Sequence, residues 1–292
     1  MIYLNVQIDE VNKKESSTAL QIFTLLAVLL IVGLPIYGYF KLKPDNIPDQ
    51  EEPNGDEEGI DSEENGDGVS IEDDSIPIVG NGYVEELVEI EGQWAYIIAP
   101  AYIDTKNLPT LVIYNHGSIT SVQENMDEEF KTDLLKYGEA FSIHNYIFAV
   151  SNAHGINWGN SDSIDDNYSM YEYIRDEYGI NDEIYEIGFS MGGLPAMNFA
   201  TTYPELVSKI ILLAPTTRTS EWTQEEVNKI MDIDIKIWHG DSDINVGLIY
   251  TQSFVNKVGS LGKDIELIIL EGKTHWNIDT EYIDEMLEFF NQ

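Results

Sequence analysis

The sequence predicts an α/β protein: a mostly parallel central sheet with helices on both faces, preceded by a single N-terminal transmembrane helix. Three observations carry this. From about residue 77, short apolar runs alternate with helical stretches. Those runs are continuous rather than alternating, as strands buried on both faces require. Upstream of them, residues 20–40 form 21 residues without a charge.

The apolar segment comes first. At about 1.5 Å per residue it reaches roughly 30 Å, the thickness of a bilayer's hydrocarbon core. Gly33 and Pro35 weaken a soluble helix but are tolerated in a membrane span. Tyr37, Tyr39 and Phe40 gather at one end, as interfacial aromatics do. A cleaved signal peptide has a shorter apolar core and a small-residue cleavage site; no such site follows Phe40. The reading is therefore a short tail (1–19) and an uncleaved span (20–40). Lys13 and Lys14 on one side nearly balance Lys41 and Lys43 on the other. A short tail before one span reads as a signal-anchor, which places the large domain outside the cell.

An acidic linker follows, over residues 41–79. Within it, residues 45–76 carry 14 acids and no base. Low apolar content and like charge predict a disordered spacer, spanning roughly 30 Å or more. The spacing of a calcium-binding loop is absent from it.

The third segment, residues 80–292, holds the α/β pattern. Strands are predicted at 83–90, 94–100, 110–117, 146–155, 183–188, 208–215, 235–241 and 265–272. Helices are predicted near 124–143, 163–178, 191–203, 223–231, 246–261 and 278–291. Ligand sites in such sheets lie at the carboxyl ends of the strands.

Composition narrows the function. The chain has 15 basic and 53 acidic residues, a net charge of −38. It repels nucleic acid and anionic headgroups, so nucleic-acid binding is excluded. Dense carboxylates suit a well-hydrated surface, or one adapted to high salt or alkaline surroundings. Without cysteine, disulfides, thiolate zinc sites and cysteine nucleophiles are excluded.

One turn asks for explanation. Gly188-Phe189-Ser190-Met191-Gly192 fits G-x-S-x-G, follows a predicted strand and opens a predicted helix. In that setting small residues let strand and helix approach, and the serine projects from a strained turn. The Met191 N–H faces the same space at the positive end of the helix. A serine hydroxyl needs a base, and the base an orienting acid. "WHGDSDINV" (238–246) ends one strand with two acids, and "LEGKTHWN" (270–277) ends the last with a histidine. The order Ser190, Asp243, His275 suits this architecture.

Through "GFSMGG", "HGDSD" and "GKTHW", residues 80–292 resemble the α/β-hydrolase superfamily. The resemblance implies that Ser190 is the nucleophile and His275 the base. It selects Asp243, in a G-x-x-D pattern after Gly240, as the acid, with Asp241 as the alternative. It implies acyl transfer through an acyl-serine, without a cofactor. It also places the second oxyanion donor in "YNHGSIT" (114–120), at the Ser118 amide, although this turn departs from the HGGG form of many lipases and esterases.

His116, His154 and His239 each precede a glycine at a strand end. Three histidines along one sheet edge suggest a metal, but no carboxylate spacing supports a hydrolytic metal site. They read instead as loop braces, with His116 also a pocket candidate. His144 reads as a surface residue. Trp158 and Trp276 are pocket candidates, with packing an equal alternative. The stretch "PTTRTSEWTQEE" (215–226) leaves room for a turn and one helix rather than a cap domain. That favours accessible esters or extended acyl substrates.

The resulting expectation is a membrane-anchored serine hydrolase, acting on carboxylic esters. A serine peptidase or acyltransferase shares every step up to the acyl-enzyme. A binding protein on the same fold is the rival outside catalysis.

Overall fold

The computed structural model describes residues 82–292. The expected tail, membrane span and linker all lie outside the described residues. Among the described residues no helix is long and apolar enough to cross a membrane.

Among the described residues eight strands form one sheet: β1 (Tyr83–Ile90), β2 (Gln93–Pro100), β3 (Thr110–Asn115), β4 (Tyr146–Ser151), β5 (Ile184–Phe189), β6 (Val207–Leu213), β7 (Asp234–Gly240) and β8 (Glu266–Leu270). Their order is β1-β2-β4-β3-β5-β6-β7-β8. β2 pairs antiparallel with both β1 and β4, and all pairs from β4 onward are parallel. The antiparallel β1–β2 hairpin needs only the short turn at Glu91-Gly92. Each parallel pair needs a crossover, and the helices supply it.

The described residues form six α-helices: α1 (Glu128–Ile143), α2 (Ser161–Tyr178), α3 (Gly193–Thr202), α4 (Gln224–Lys229), α5 (Leu248–Ser260) and α6 (Ile283–Phe290). Asp127 caps α1 by accepting from the Glu129 and Phe130 amides, and Asn160 caps α2 by accepting from Ser163. These caps satisfy amides that have no partner inside the helix. α1 and α6 pack on one face of the sheet, and α2, α3, α4 and α5 on the other. The central strands are sealed between: Leu111, Val112, Ile113, Ile147, Phe148, Ile210, Ile211 and Ile237 have no exposed surface. Each such side chain contributes roughly 1.5–3 kcal/mol by leaving water.

Strand ends predicted at 117, 155 and 215 fall earlier, at Asn115, Ser151 and Leu213. The residues beyond them turn away from the sheet and form the loops of its carboxyl edge. Between β6 and α4 lies a single 3₁₀ turn, Thr219–Glu221.

Candidate active site

The site begins at the carboxyl end of β5. Ser190 has φ +54°, a left-handed conformation that a non-glycine residue adopts only under constraint. Its glycine neighbours answer a packing demand. A Cβ at Gly192 would stand 1.9 Å from the Asn115 carbonyl oxygen, and one at Gly188 2.6 Å from the Gly192 carbonyl oxygen. Gly193 meets Pro215 in the same way, at 2.6 Å. Strand, turn and helix therefore approach to backbone contact, and the serine side chain is pushed outward. A 3₁₀ turn, Ser190–Gly192, leads into α3.

His275 lies in the loop after β8. Its Nε2 is 2.8 Å from Ser190 Oγ. Its Nδ1 is 2.7 Å from Asp243 Oδ2. The histidine and the aspartate are both buried. Asp243 sits in the loop after β7, and its other oxygen, Oδ1, accepts from the amides of Asn245 and Val246 at 2.8 and 2.9 Å. Two backbone donors and one imidazole thus hold this carboxylate in a single orientation. A carboxylate on Nδ1 fixes the imidazole tautomer: Nδ1–H donates to Asp243, and bare Nε2 accepts from the serine hydroxyl. Phe189 and Trp276 flank the ring, with centroids 5.1 and 4.9 Å from it.

Asp241, the alternative acid, points elsewhere. It is exposed, and its Oδ1 accepts from the Gly272 amide at 2.8 Å and from Ser242 Oγ at 3.0 Å. It ties the loop after β7 to the loop after β8. Gly240 allows that approach, since a Cβ there would meet the Lys273 carbonyl oxygen at 2.1 Å.

Met191 directly follows the serine and is buried. Ser118 lies in the turn after β3, next to Gly117. A Cβ on Gly117 would stand 3.3 Å from the Phe189 ring and 3.7 Å from the Ser190 Cβ, so this turn lies against the elbow. His116 is placed beneath the turn, not on an open pocket wall. It is 2% exposed, with Nδ1 2.8 Å from the Gly117 carbonyl and Nε2 3.1 Å from the Asn152 carbonyl. Burial pushes its pKa down, although the two carbonyls oppose that shift.

The other histidines occupy separate environments. His239 is fully buried, between the Val246 carbonyl (2.8 Å) and Thr251 Oγ1 (2.9 Å), and stands 3.4 Å from Asp243. Burial lowers its pKa, so a neutral imidazole braces the loop that presents the acid. His154 pairs with Asp166 at the surface. His144 is exposed at the end of α1. Among the described residues no cluster has the ligands to hold a metal ion. Trp276 and Trp158 are both half-exposed at the carboxyl edge. The Trp158 carbonyl accepts from Arg218 Nη2 at 2.9 Å, linking the loop after β4 to the segment after β6.

Sequence reading missed Asp279. Its carboxylate accepts from the hydroxyls of Tyr114, at the end of β3, and Tyr137, on α1. Burial raises its pKa from 3.8 to about 6, the tyrosine hydrogen bonds opposing the shift. This anchors the chain four residues beyond His275. No local pattern marks it, because its partners lie 165 and 142 residues away.

A family model described as the alpha/beta hydrolase fold matches residues 132–234. No curated protein matches the chain in sequence. Among solved structures, a thermostable esterase is similar, with TM-score 0.55 and 17% identity over 73% of this chain and 63% of its own. Est1E from Butyrivibrio proteoclasticus is similar with TM-score 0.52 and 17% identity, over 71% of this chain and 99% of its own. A puromycin-hydrolyzing peptidase of Mycobacterium tuberculosis is similar with TM-score 0.56 and 15% identity, over 73% of this chain and 39% of its own. The chain thus spans less than two thirds of the esterase first named and well under half of the peptidase.

Proposed function

We propose, on the premise that this chain belongs to the α/β-hydrolase superfamily, that it is a serine hydrolase cleaving carboxylic esters through an acyl-serine. The observation that carries this is the unbroken line from Ser190 Oγ through His275 to Asp243, at 2.8 and 2.7 Å, with Ser190 on a strained turn.

The steps follow from those atoms. His275 Nε2 takes the Ser190 proton as Oγ attacks the ester carbonyl carbon. Asp243 stabilises the imidazolium that forms. The Met191 and Ser118 amides receive the developing oxyanion, in a site whose donors need no reorganisation. The intermediate collapses, the C–O bond to the alcohol breaks, and His275 returns the proton to the leaving oxygen. Water then enters. His275 takes its proton, hydroxide adds to the acyl-serine, and Ser190 leaves reprotonated. The short segment between β6 and α4 leaves the edge uncapped, which suits an extended or accessible substrate. We place residues 20–40 in a membrane and the catalytic domain outside the cell, with the acidic linker as spacer.

Fluorophosphonate labelling of the full-length protein tests the reading. Labelling in wild type and its loss in both Ser190→Ala and His275→Ala are expected. Absence of labelling in a folded wild-type protein would favour a binding protein on this fold. The likeness to a peptidase favours comparing ester with amide substrates of the same acyl group. Faster turnover of the amide would shift the assignment to peptidase.

A further inference from the structure

Behind the elbow, within the layer that carries α2 to α5, lies a buried polar chain that the acyl-transfer steps do not use. Glu186, in the middle of β5, has no exposed surface and pairs with Ile113 of β3 and Ile210 of β6. Its Oε2 accepts from Asn115 Nδ2 at 2.5 Å. Its Oε1 is buried with no partner. Burial pushes the pKa of this carboxyl well above the usual carboxylate range. Asn115 Nδ2 also reaches the Ile187 carbonyl at 3.3 Å, and Asn115 Oδ1 accepts from Asn167 Nδ2 of α2 at 2.8 Å. Both asparagines are buried. The chain ties the end of β3 to β5 and to α2.

Packing alone gives no reason for it. An aliphatic residue at position 186 would match its neighbours and avoid burying an unsatisfied oxygen. The reason lies in what Asn115 touches. Its carbonyl oxygen is the atom against which Gly192 is pressed. Two residues later Gly117 lies against Phe189 and Ser190 of the elbow, and Ser118 follows. Asn115 therefore anchors the end of β3, and His116, held by the Asn152 carbonyl, leads from it into the turn that faces the nucleophile.

We infer that the Glu186–Asn115–Asn167 chain is a positioning device, which sets the Ser118 turn against the nucleophile elbow and so governs transition-state stabilisation rather than substrate binding. This rests on the acyl-transfer reading above. None of the three side chains contacts the reacting atoms.

The test uses the full-length protein with p-nitrophenyl acetate and a fluorophosphonate. Glu186→Leu removes the hydrogen bond at similar volume. It is expected to lower kcat by about 10²-fold, the scale of an ångström of misplacement, with KM kept within about twofold. The fluorophosphonate inactivation rate falls in parallel. Glu186→Gln regains most of kcat, because an amide fills the same place and still hydrogen-bonds Asn115. Asn167→Ala, which loosens the far end, lowers kcat less. A folded Glu186→Leu with wild-type kcat overturns the inference, as does a Glu186→Gln that is equally slow. Should Glu186→Leu not fold, Asn167→Ala decides: reduced kcat at unchanged KM supports the inference, and unchanged kcat overturns it. A wild-type protein inert to both reagents overturns the acyl-transfer reading itself, and the inference with it.

Discussion

The domain contains two histidine–aspartate pairs of nearly equal length. His275 and Asp243 stand 2.7 Å apart with side chains 3% and 0% exposed. His154 and Asp166 stand 2.6 Å apart, with the histidine 47% exposed. The first pair has a serine hydroxyl on the far ring nitrogen and two backbone amides on the far carboxylate oxygen. The second caps no such line, and water reaches its histidine. A short imidazole–carboxylate contact is therefore not by itself a base. The third partner fixes the tautomer, and exclusion of water strengthens each charge interaction.

The largest expected contrast breaks the first pair's line. Ser190→Ala and His275→Ala should each lower kcat for an ester by about 10⁶-fold, and the double variant no further, since such residues act as a unit. His154→Ala should leave kcat unchanged. Ester turnover beside circular dichroism checks this, and a His154→Ala variant as impaired as His275→Ala would erase the contrast.

The next contrast exchanges the acids. Asp243→Asn should cost about 10⁴-fold in kcat by permitting the wrong tautomer of His275. Asp166→Asn should cost nothing measurable in turnover. Equal effects would mean that Asp243 serves the loop and not the imidazole.

A third carboxylate separates burial from pairing. Asp279 is partly buried against tyrosines rather than paired with a histidine, and its pKa of about 6 lies above the ordinary 3.8. The folded protein therefore holds this proton more tightly than the unfolded chain. Its contribution is fully present below about pH 4 and is lost as pH rises through about 6, on the order of 3 kcal/mol. Melting curves across that range should show Asp279→Asn losing less stability with rising pH than wild type. Parallel curves would exclude this titration.

The smallest effect belongs to the exposed pair. His154→Ala should change stability by at most about 1 kcal/mol, less at high salt. A larger loss in urea unfolding would mean that this pair braces the loop after β4.

Much of this architecture is legible in local pattern. Buried parallel strands are written as apolar runs, and each of the six strands that pair in parallel appears where such a run lies. The glycines around Ser190 mark close approach, and the structure finds backbone against Gly188 and Gly192 and the Pro215 ring against Gly193. The environment of a side chain is less legible. His116 and His154 look alike in sequence, each a histidine before a glycine at a strand end. One is sealed between two carbonyls and the other meets solvent. Glu186 and Asn167 carry no motif, and nothing local ties them to Asn115, because the contacts join residues 71 and 52 positions apart.

Sequence by itself determined the strands, the helices between them, the strained turn at Ser190 and the two loops that carry the acids and the histidine. Those features arise from neighbouring residues, through side-chain period and the steric demands of a turn. Only the tertiary structure decided that Asp243 rather than Asp241 faces His275, that His275 rather than another histidine reaches Ser190, and that Glu186 lies under the elbow. The serine and histidine are 85 residues apart, and the histidine and aspartate 32. They meet because the strand order brings the ends of β5, β7 and β8 to one edge, and no local period encodes that order.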